Sequence, residues 1–262
     1  MTRIAVIGPS DAGLRLGVAL QAAGAEVVGF ELAPAEYVPI PQASSITEAA
    51  SADVVLNFVA PHLAEKTAQE FAPLLQSGAI YADFTTGTPE LKKRLAELFP
   101  AHAYADAALP TAGNVEAAGS AAHALFVVLT NLKIAVTVIS DVPGDAAART
   151  LIRTLLSNGL AEVVADTLWA AESLGIEEWA WKDIQAELTS FNADAAQALI
   201  DDAAHNFKRH QIAMQDVVEL LASSGYDSTM IAPIQFTHGR IMHGKKIPFA
   251  RRPQINGRSN PA

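Results

Sequence analysis

A glycine-containing turn near the start of the chain has the residue types that bind phosphate. It follows an apolar run at residues 4–7 and precedes an Ala/Leu-rich segment of helical length. Backbone N–H groups at the beginning of a helix attract anions. A second apolar run closes on the acidic residue Glu31. These features are typical of a β-α-β unit that binds a dinucleotide, and its phosphate-binding turn would comprise Gly8, Pro9, Ser10, Asp11, Ala12 and Gly13.

Each position of this unit has its own physical task. Gly8 makes the tight turn out of the first strand, and Gly13 lets the helix pack close to that strand. Ser10 stands where a glycine normally lets the pyrophosphate approach the backbone, but its hydroxyl can donate to a phosphate oxygen. Glu31 can accept the adenosine ribose hydroxyls and repel a 2′-phosphate, so NAD is the predicted cofactor, with NADP possible. The alternative is a ligand-free turn with a surface glutamate.

Composition excludes several classes of site and partner. The 262 residues include no cysteine, which excludes disulfides, thiolate metal sites and a cysteine nucleophile. Histidines and acids show no metal-ligand spacing, so we expect no metal. A formal net charge of −10 argues against nucleic acid or an anionic membrane as partner. No apolar stretch reaches the roughly 20 residues of a membrane span and no signal peptide is recognisable, so we expect a cytoplasmic protein.

The elements that must position these residues alternate between strand-like and helix-like segments. Apolar strand-like runs lie at residues 4–7, 26–31, 54–59 and 79–84. Such alternation predicts an α/β fold, with a Rossmann-type doubly wound, mainly parallel sheet. β-branched residues predict two more strands, at 122–130 and 134–139, which a short turn would join.

From Gly144 onward the pattern changes to helical spacing. We therefore predict a dinucleotide-binding domain over residues 1–142, an all-helical substrate and dimerisation domain over 143–250, and a loose tail over 251–262. The predicted helices are 146–175, 178–188, 193–225 and 229–242. The segment 150–174 is apolar around most of its circumference, so we expect a second subunit to cover it in a homodimer.

Several short motifs follow one another in a fixed order. They are the turn at 8–13, the strand and loop at 54–61, the Asp83-containing stretch at 82–89, Asp106-Ala107 leading to Gly113, Arg153, Asn158-Gly159 and Lys208-Arg209. In this order and spacing, nearly the whole chain resembles the superfamily of 3-hydroxyisobutyrate and 6-phosphogluconate dehydrogenases. The nearest resemblance is to a poorly characterised branch of phosphogluconate-dehydrogenase-like NAD(P)-dependent oxidoreductases with their own helical C-terminal domain.

This resemblance implies a hydride-transfer enzyme that acts on a small-molecule substrate, with the nicotinamide over the ends of the fourth and fifth strands. It implies that the ribose and nicotinamide are lined by Asn57, Val59, Ala60 and Pro61, and that the ring lies beside Thr85 and Thr86. The alternatives are that Asn57 caps a strand end and that the threonine pair forms a turn.

The chain departs from the family in the loop after the Asp-Ala pair. Relatives carry a substrate-binding serine and paired glycines there, whereas this chain has Pro110, Thr111, Ala112, Gly113 and Asn114. Thr111 and Asn114 can hydrogen-bond a substrate, and Gly113 can expose backbone N–H groups. We therefore expect the substrate to differ from the simple 3-hydroxy acids.

A second departure concerns the catalytic lysine of the relatives, whose position is taken here by Thr150. Threonine does not act as a general acid near neutral pH, and the adjacent Arg149 is an electrostatic clamp rather than a proton shuttle. Arg153, one turn further on, is expected to bind the negative group of the substrate. The alternative for Arg153 is a structural ion pair with an acid such as Asp106 or Glu162.

Polar groups further along the helical half can complete the site. Asn158, two turns beyond Thr150, can orient a water or the substrate. His205 and Lys208, with Arg209, form a cluster that resembles the basic segment of the family. In a dimer this cluster can reach the substrate pocket of the partner, and the alternative is a solvated basic face.

The leading hypothesis is an NAD(P)-dependent oxidoreductase acting on a small hydroxy or keto acid, or on a related alcohol or imine. A dinucleotide-binding protein without redox activity, working as a sensor or structural subunit, is the first alternative, and Ser10 and Thr150 favour it. The second alternative is a lyase or isomerase that retains the cofactor.

Overall fold

Strands and helices alternate through the first half of the chain. The structure is a computed structural model that describes residues 1–8, 10–31, 40–111 and 113–251. The strands are β1 (Arg3–Ile7), β2 (Glu26–Phe30), β3 (Val54–Asn57), β4 (Ile80–Asp83), β5 (Tyr104–Ala108), β6 (Val115–Ala118) and β7 (Val136–Ser140). The helices between them are α1 (Asp11–Ala22), α2 (Ile46–Ala50), α3 (Ala64–Phe71), α4 (Pro89–Ala96) and α5 (Ala122–Asn131).

The described strands form one twisted sheet in the order β2-β1-β3-β4-β5-β6-β7. β1 to β5 pair in parallel, β6 pairs antiparallel with β5, and β7 pairs in parallel with β6. The chain leaves β1 for β2 on one side and then returns to the other side of β1 for β3. The carboxyl ends of β1 and β3 therefore border a topological switch point, which is where open parallel sheets bind ligands.

Both faces of this sheet are covered by helices, as the doubly wound prediction requires. Strand residues alternate between the faces: Ile4 and Val6 pack with α1 and α5, whereas Ala5 and Ile7 pack with α2, α3 and α4. The predicted Rossmann-type sheet followed by a helical C-terminal region is confirmed. The strands predicted at 4–7, 26–31, 54–59 and 79–84 correspond to β1 to β4.

The strand predicted at 122–130 is wrong, because this segment is the helix α5. Its buried residues Ala122, Leu125 and Leu129 recur at helical spacing and face the sheet. This packing outweighs the strand propensity of the β-branched residues in the same segment. The short turn predicted at 130–133 therefore joins a helix to β7. The alanine-rich strands β5 and β6 were missed by the sequence analysis, because alanine is depleted in strands.

Five described helices follow β7: α6 (Asp145–Ser173), α7 (Glu177–Ser190), α8 (Ala193–His205), α9 (Phe207–Ser224) and α10 (Ile231–Met242). The helix predicted over 193–225 is two helices, which meet at Asn206. The side chain of Asn206 donates to the Asp202 carboxylate, and such local bonds compete with helix continuation. Chain packing forms two compact units, Met1–Leu155 and Leu156–Ala262. Among the described residues, no helix has the length and hydropathy of a membrane span.

Candidate functional site

The turn after β1 has the backbone geometry that its glycine suggests. Gly8 has φ of +54°, and its N–H donates to the carbonyl oxygen of Phe30 at 2.9 Å. A Cβ atom on Gly8 would lie 2.6 Å from Cγ1 of Val59, and one on Gly13 would lie 2.9 Å from the Phe58 ring. Both glycines therefore let the start of α1 approach the end of β3 closely.

Ser10 caps the N-terminus of α1. Its Oγ accepts a hydrogen bond from the N–H of Gly13 at 3.4 Å, and its own backbone is extended, as an N-cap residue requires. Since this bond uses an oxygen lone pair, the hydroxyl hydrogen can be donated to an anion at the helix terminus. Asp11 is exposed in the first turn and Ala12 is half-buried, while Pro9 lies outside the described residues.

Glu31 follows β2 directly, at the same edge of the sheet as Gly8. It is partly buried, and this burial raises the pKa of its carboxyl group. A cavity of about 440 Å³ adjoins it, lined by Phe30, Glu31, Ile46, Glu70, Pro73 and Leu74. A carboxylate in the wall of a cavity can accept hydrogen bonds from vicinal hydroxyl groups such as those of a ribose.

The ends of β3 and β4 meet through side-chain hydrogen bonds. Buried Asn57 donates to Oδ1 of Asp83 at 3.3 Å and accepts from the N–H of Val59 at 3.5 Å. Thr85 is also buried, and both its N–H and its hydroxyl donate to Oδ1 of Asp83, at 3.1 and 2.7 Å. The polar side chains of Asn57 and Thr85 therefore hold the strand ends in place, whereas Ala60, Pro61 and Thr86 are exposed along this edge.

Asp83 belongs to a buried polar network that the sequence analysis missed. Lys92 on α4 donates to it at 2.9 Å and lies 3.6 Å from Asp106, the residue paired with Asp83 on β5. Burial raises the pKa of Asp106, although Lys92 opposes this effect. Burial also raises the pKa of Tyr104, which donates its hydroxyl hydrogen to Asp83 at 2.9 Å. The available signal was Lys92 itself, a charged residue three positions before the buried Leu95 on the inner face of α4.

The loop after β5 carries the predicted substrate-binding residues. Thr111 and Gly113 are exposed, and Gly113 has φ of +107°. Asn114 is exposed and its amide donates to the hydroxyl of Thr137 at 3.1 Å. Pro110 is half-buried, and Ala112 lies outside the described residues. The loop thus presents polar groups at the carboxyl end of β5.

The beginning of α6 brings two arginines to one carboxylate. Arg153 donates to Glu116 on β6, and Nη1 of Arg149 lies 3.6 Å from the same carboxylate. Glu116 is a further residue that the sequence analysis does not identify; the expected ion pair of Arg153 with an acid is present, but the acid is neither Asp106 nor Glu162. The hydroxyl of Thr150 donates to the carbonyl oxygen of Ala146 at 3.0 Å, so it is bonded to its own helix.

The remaining predicted residues belong to the second unit. Asn158 is exposed on α6 and Lys208 is exposed on α9. Nδ1 of His205 is hydrogen-bonded to the carbonyl oxygen of Asp201 at 2.7 Å, at the end of α8. His210 and Arg209 are both paired with Asp202. Within the described parts of the chain, no group of three His or acidic residues is arranged to hold a metal ion.

Solved structures share this fold. The chain is similar to an imine reductase from Myxococcus stipitatus in complex with NADP+, with 18% identity, a TM-score of 0.75 and coverage of 92% of this chain and 95% of that chain. The V8 variant of the imine reductase from that organism, in complex with NAD+, shares 17% identity with a TM-score of 0.72, and the match covers 93% of this chain and 95% of that chain. The protein MTH1747, described as structurally similar to 3-hydroxyacid dehydrogenases, shares 22% identity with a TM-score of 0.56, and the match covers 92% of this chain and 97% of that chain.

Comparison with protein families finds a match in the first half of the chain. No curated protein matches the chain in a direct search. Residues 3–130, however, match the family model of the NAD binding domain of 6-phosphogluconate dehydrogenase. This range covers β1 to α5, including the turn at Gly8, the acid at Glu31 and the linked ends of β3 and β4. Over residues 3–130 the chain is therefore similar to the NAD-binding domain of 6-phosphogluconate dehydrogenase.

Proposed function

We propose that the protein is an NAD-dependent oxidoreductase. It transfers a hydride between the nicotinamide and a carbon atom of a small hydroxy or keto acid, or of a related alcohol or imine. The observation that carries this proposal is the match to an NAD-binding domain, in which Gly8, Ser10 and Glu31 and the ends of β3 and β4 share one edge of the sheet.

The residues at this edge fit a dinucleotide. The N-terminus of α1 and the Ser10 hydroxyl offer hydrogen-bond donors to a pyrophosphate. Glu31 offers an acceptor for the adenosine ribose hydroxyls. The sequence contains no lysine or arginine between Arg15 and Lys66, so this stretch supplies no cation for a 2′-phosphate. These features favour NAD over NADP.

The nicotinamide, when bound, supplies or accepts the hydride, and the protein positions the reactants. The network around Asp83 fixes the β3 and β4 ends, so that the exposed Ala60, Pro61 and Thr86 form a defined surface for the ring. Thr111, Gly113 and Asn114 offer polar groups to the substrate. Because the Thr150 hydroxyl already donates within its helix, we do not assign it the proton transfer, although its oxygen can still accept a hydrogen bond.

Arg149 and Arg153 are proposed to bind an anionic group of the substrate. Two guanidinium groups share the single carboxylate of Glu116, which leaves local positive charge. Their side chains are 52% and 43% exposed, so N–H donors remain accessible. Guanidinium groups bind carboxylates in a planar, two-point geometry. Asn158, His205 and Lys208 are further candidates for contacts with the substrate.

We also propose that the protein is a homodimer in which α6 is covered by a second copy. Ile152, Leu155 and Leu156 recur at helical spacing on α6 and are 68%, 72% and 74% exposed. Large apolar side chains exposed this far, and next to one another, are a feature of interaction surfaces. The cost of leaving them in water would favour association.

A substrate screen tests the proposed reaction. Purified protein is incubated with NADH and a panel of small 2- and 3-keto acids, ketones and cyclic imines, and with NAD+ and the matching hydroxy acids. The proposal predicts a change at the reduced-nicotinamide absorbance band with at least one anionic substrate. Tight NADH binding without turnover of any compound in the panel would instead favour a dinucleotide-binding protein without redox activity.

A further inference from the structure

Lys92 is a fully buried cation in the first unit. Its side chain is 1% exposed, and its ammonium group is surrounded by oxygen atoms. It donates to Oδ2 of Asp83 at 2.9 Å, to the main-chain oxygen of Asp83 at 3.1 Å and to the hydroxyl of Thr85 at 3.3 Å. Oδ1 of Asp106 lies 3.6 Å away, too far for a hydrogen bond but within ion-pair range.

The two carboxylates around Lys92 serve different parts of the structure. Asp83 holds the loop after β4 through Thr85 and the end of β3 through Asn57. Asp106 lies on β5, and its Oδ2 accepts the N–H groups of Gly144 and Ala147, both at 3.0 Å. These N–H groups belong to the beginning of α6, so Asp106 acts as a cap for the helix that carries Arg149 and Arg153.

The register of the sheet places the two carboxylates side by side. Asp83 and Asp106 are direct partners on the parallel strands β4 and β5, and both side chains are 0% exposed. Two buried carboxylates on directly paired strand positions repel each other when both are charged, and burying each one without a partner costs free energy. Lys92 is the buried basic group that lies within ion-pair range of both, and it offsets part of this repulsion.

We propose that Lys92 is a positioning residue, which joins the nicotinamide end of the cofactor site to the start of α6. Through Asp83 it fixes the Thr85 loop, and through Asp106 it fixes the first turn of the helix that presents the substrate-binding arginines. The expected effect on NADH binding rests on the function proposed above. The expected effect on the N–H groups of Gly144 and Ala147 does not depend on that function.

Ligand binding to Lys92→Met separates positioning from general support of the fold. NADH and ADP-ribose share the adenosine and pyrophosphate, but only NADH carries the nicotinamide that would lie beside Thr85. We expect Lys92→Met to weaken NADH binding by roughly ten- to hundredfold, as misplaced contacts do. ADP-ribose affinity should stay within about twofold of wild type, since Lys92 does not act on the Gly8 turn. Equal loss for both ligands would indicate a general structural role and overturn the proposal.

The double variant Lys92→Met/Asp106→Asn guards against loss of folding. Removing Lys92 alone leaves two buried acidic side chains without their basic partner, and the second substitution removes one of these two acids. We expect the double variant to be more thermally stable than Lys92→Met and to retain the selective loss of NADH over ADP-ribose. A double variant less stable than Lys92→Met would contradict the assigned ion pairing.

Amide hydrogen exchange gives a readout that does not depend on the proposed function. In the Lys92 variants that fold, the N–H groups of Gly144 and Ala147 should lose protection. Asp106→Asn is the control for the double variant: it should cause the same loss of protection, but NADH affinity should fall only in the double variant, because Asp83 keeps its cation in Asp106→Asn. Unchanged protection in every folded variant would overturn the proposal. If wild type bound neither NADH nor ADP-ribose, the proposed function would fail, and the exchange data would still judge the link from Lys92 to α6.

Discussion

Arg153 on α6 donates a hydrogen bond to Glu116 on β6, and Arg149 lies beside the same carboxylate. Glu116 is paired with Ala108, the last residue of β5, so this contact lies at the edge of the sheet where β1 to β5 end. The pair fixes the arginine without neutralising both guanidinium groups. The structural ion pair expected for Arg153 is thus present, and anion binding stays a prediction for the same residue.

Arg153→Ala should weaken binding of an anionic substrate by about ten- to hundredfold, because a charge-assisted hydrogen bond contributes roughly 1.5–3 kcal/mol. NADH affinity should be nearly unchanged. The Arg153 side chain is 43% exposed and Arg149 stays beside Glu116, so loss of the ion pair should reduce the free energy of unfolding by no more than about 1 kcal/mol. Steady-state KM values, NADH titration and urea unfolding measure the three quantities.

Glu116→Gln is the matched control for Arg153. It removes the carboxylate but leaves both guanidinium groups, so the affinity for the anionic substrate should be kept or increased. If Arg153→Ala instead melts much earlier than wild type and keeps its substrate affinity, Arg153 belongs to the scaffold.

Glu31→Gln should narrow the preference for NADH over NADPH by roughly tenfold, since about 1.4 kcal/mol of lost repulsion corresponds to that factor. Glu70→Gln is the control, because Glu70 lines the same cavity from α3 but does not follow β2. Calorimetric titration of each variant with both cofactors gives the ratios. Equal or tighter binding of NADPH by the wild type would contradict the assigned role of Glu31.

Leu155→Glu should convert a homodimer into monomers, because it introduces a charge among the exposed apolar residues of α6. Val127→Glu is the control, since Val127 is also exposed (54%) but lies on α5. Light scattering at micromolar concentration reports the mass of both variants and of the wild type. A monomeric wild type would contradict the proposal that a second copy covers α6.

Asp166 should make the second unit sensitive to acid. It is 6% exposed and accepts hydrogen bonds from Tyr226, Ser228 and Thr229. Burial alone would raise the pKa of Asp166, but these donors outweigh it and lower the pKa. A lowered folded-state pKa contributes stability that is present above the unfolded value of about 3.9 and is lost as pH falls through the folded value.

Thermal melts of wild type and Asp166→Asn test this linkage. The stability difference between them should be largest at neutral pH and should shrink as the pH falls below about 4, where the wild-type carboxylate gains its proton. Tyr226→Phe removes one donor and should reduce the difference in part. A stability difference that does not change over this pH range would show that Asp166 acts through packing alone.

Local signals predicted the parts of the fold that depend on neighbouring residues. The turn at Gly8 requires a positive φ and a close approach to Val59, and glycine is the residue that allows both. The strand predicted at 122–130 failed because the prediction rested on the β-branched residues and not on the three buried positions that define a helical face. Short apolar segments of this kind are decided by the sheet they pack against, which lies elsewhere in the sequence.

The polar contacts of the candidate site were harder to predict. Lys92 meets Asp83 and Asp106 only because β4 and β5 are neighbours and α4 packs over them. Glu116 meets Arg153 across 37 positions of sequence. Neither pair has a spacing motif, so residue types could suggest charges but not partners. Asn57 and Thr85 were predicted as cofactor-binding residues, yet their side chains are hydrogen-bonded to Asp83.

Titration with NADH decides whether the chain binds a dinucleotide at the Gly8 turn. Wild type should bind NADH saturably, at one site per chain. Ser10→Asp and Ser10→Asn both preserve an N-cap side chain for α1, but only Asp places a negative charge where the pyrophosphate would bind. NADH should therefore bind Ser10→Asn at least about tenfold more tightly than Ser10→Asp. Absence of NADH binding to wild type at millimolar concentration, or equal binding by the two variants, would show that the N-terminus of α1 does not bind the dinucleotide.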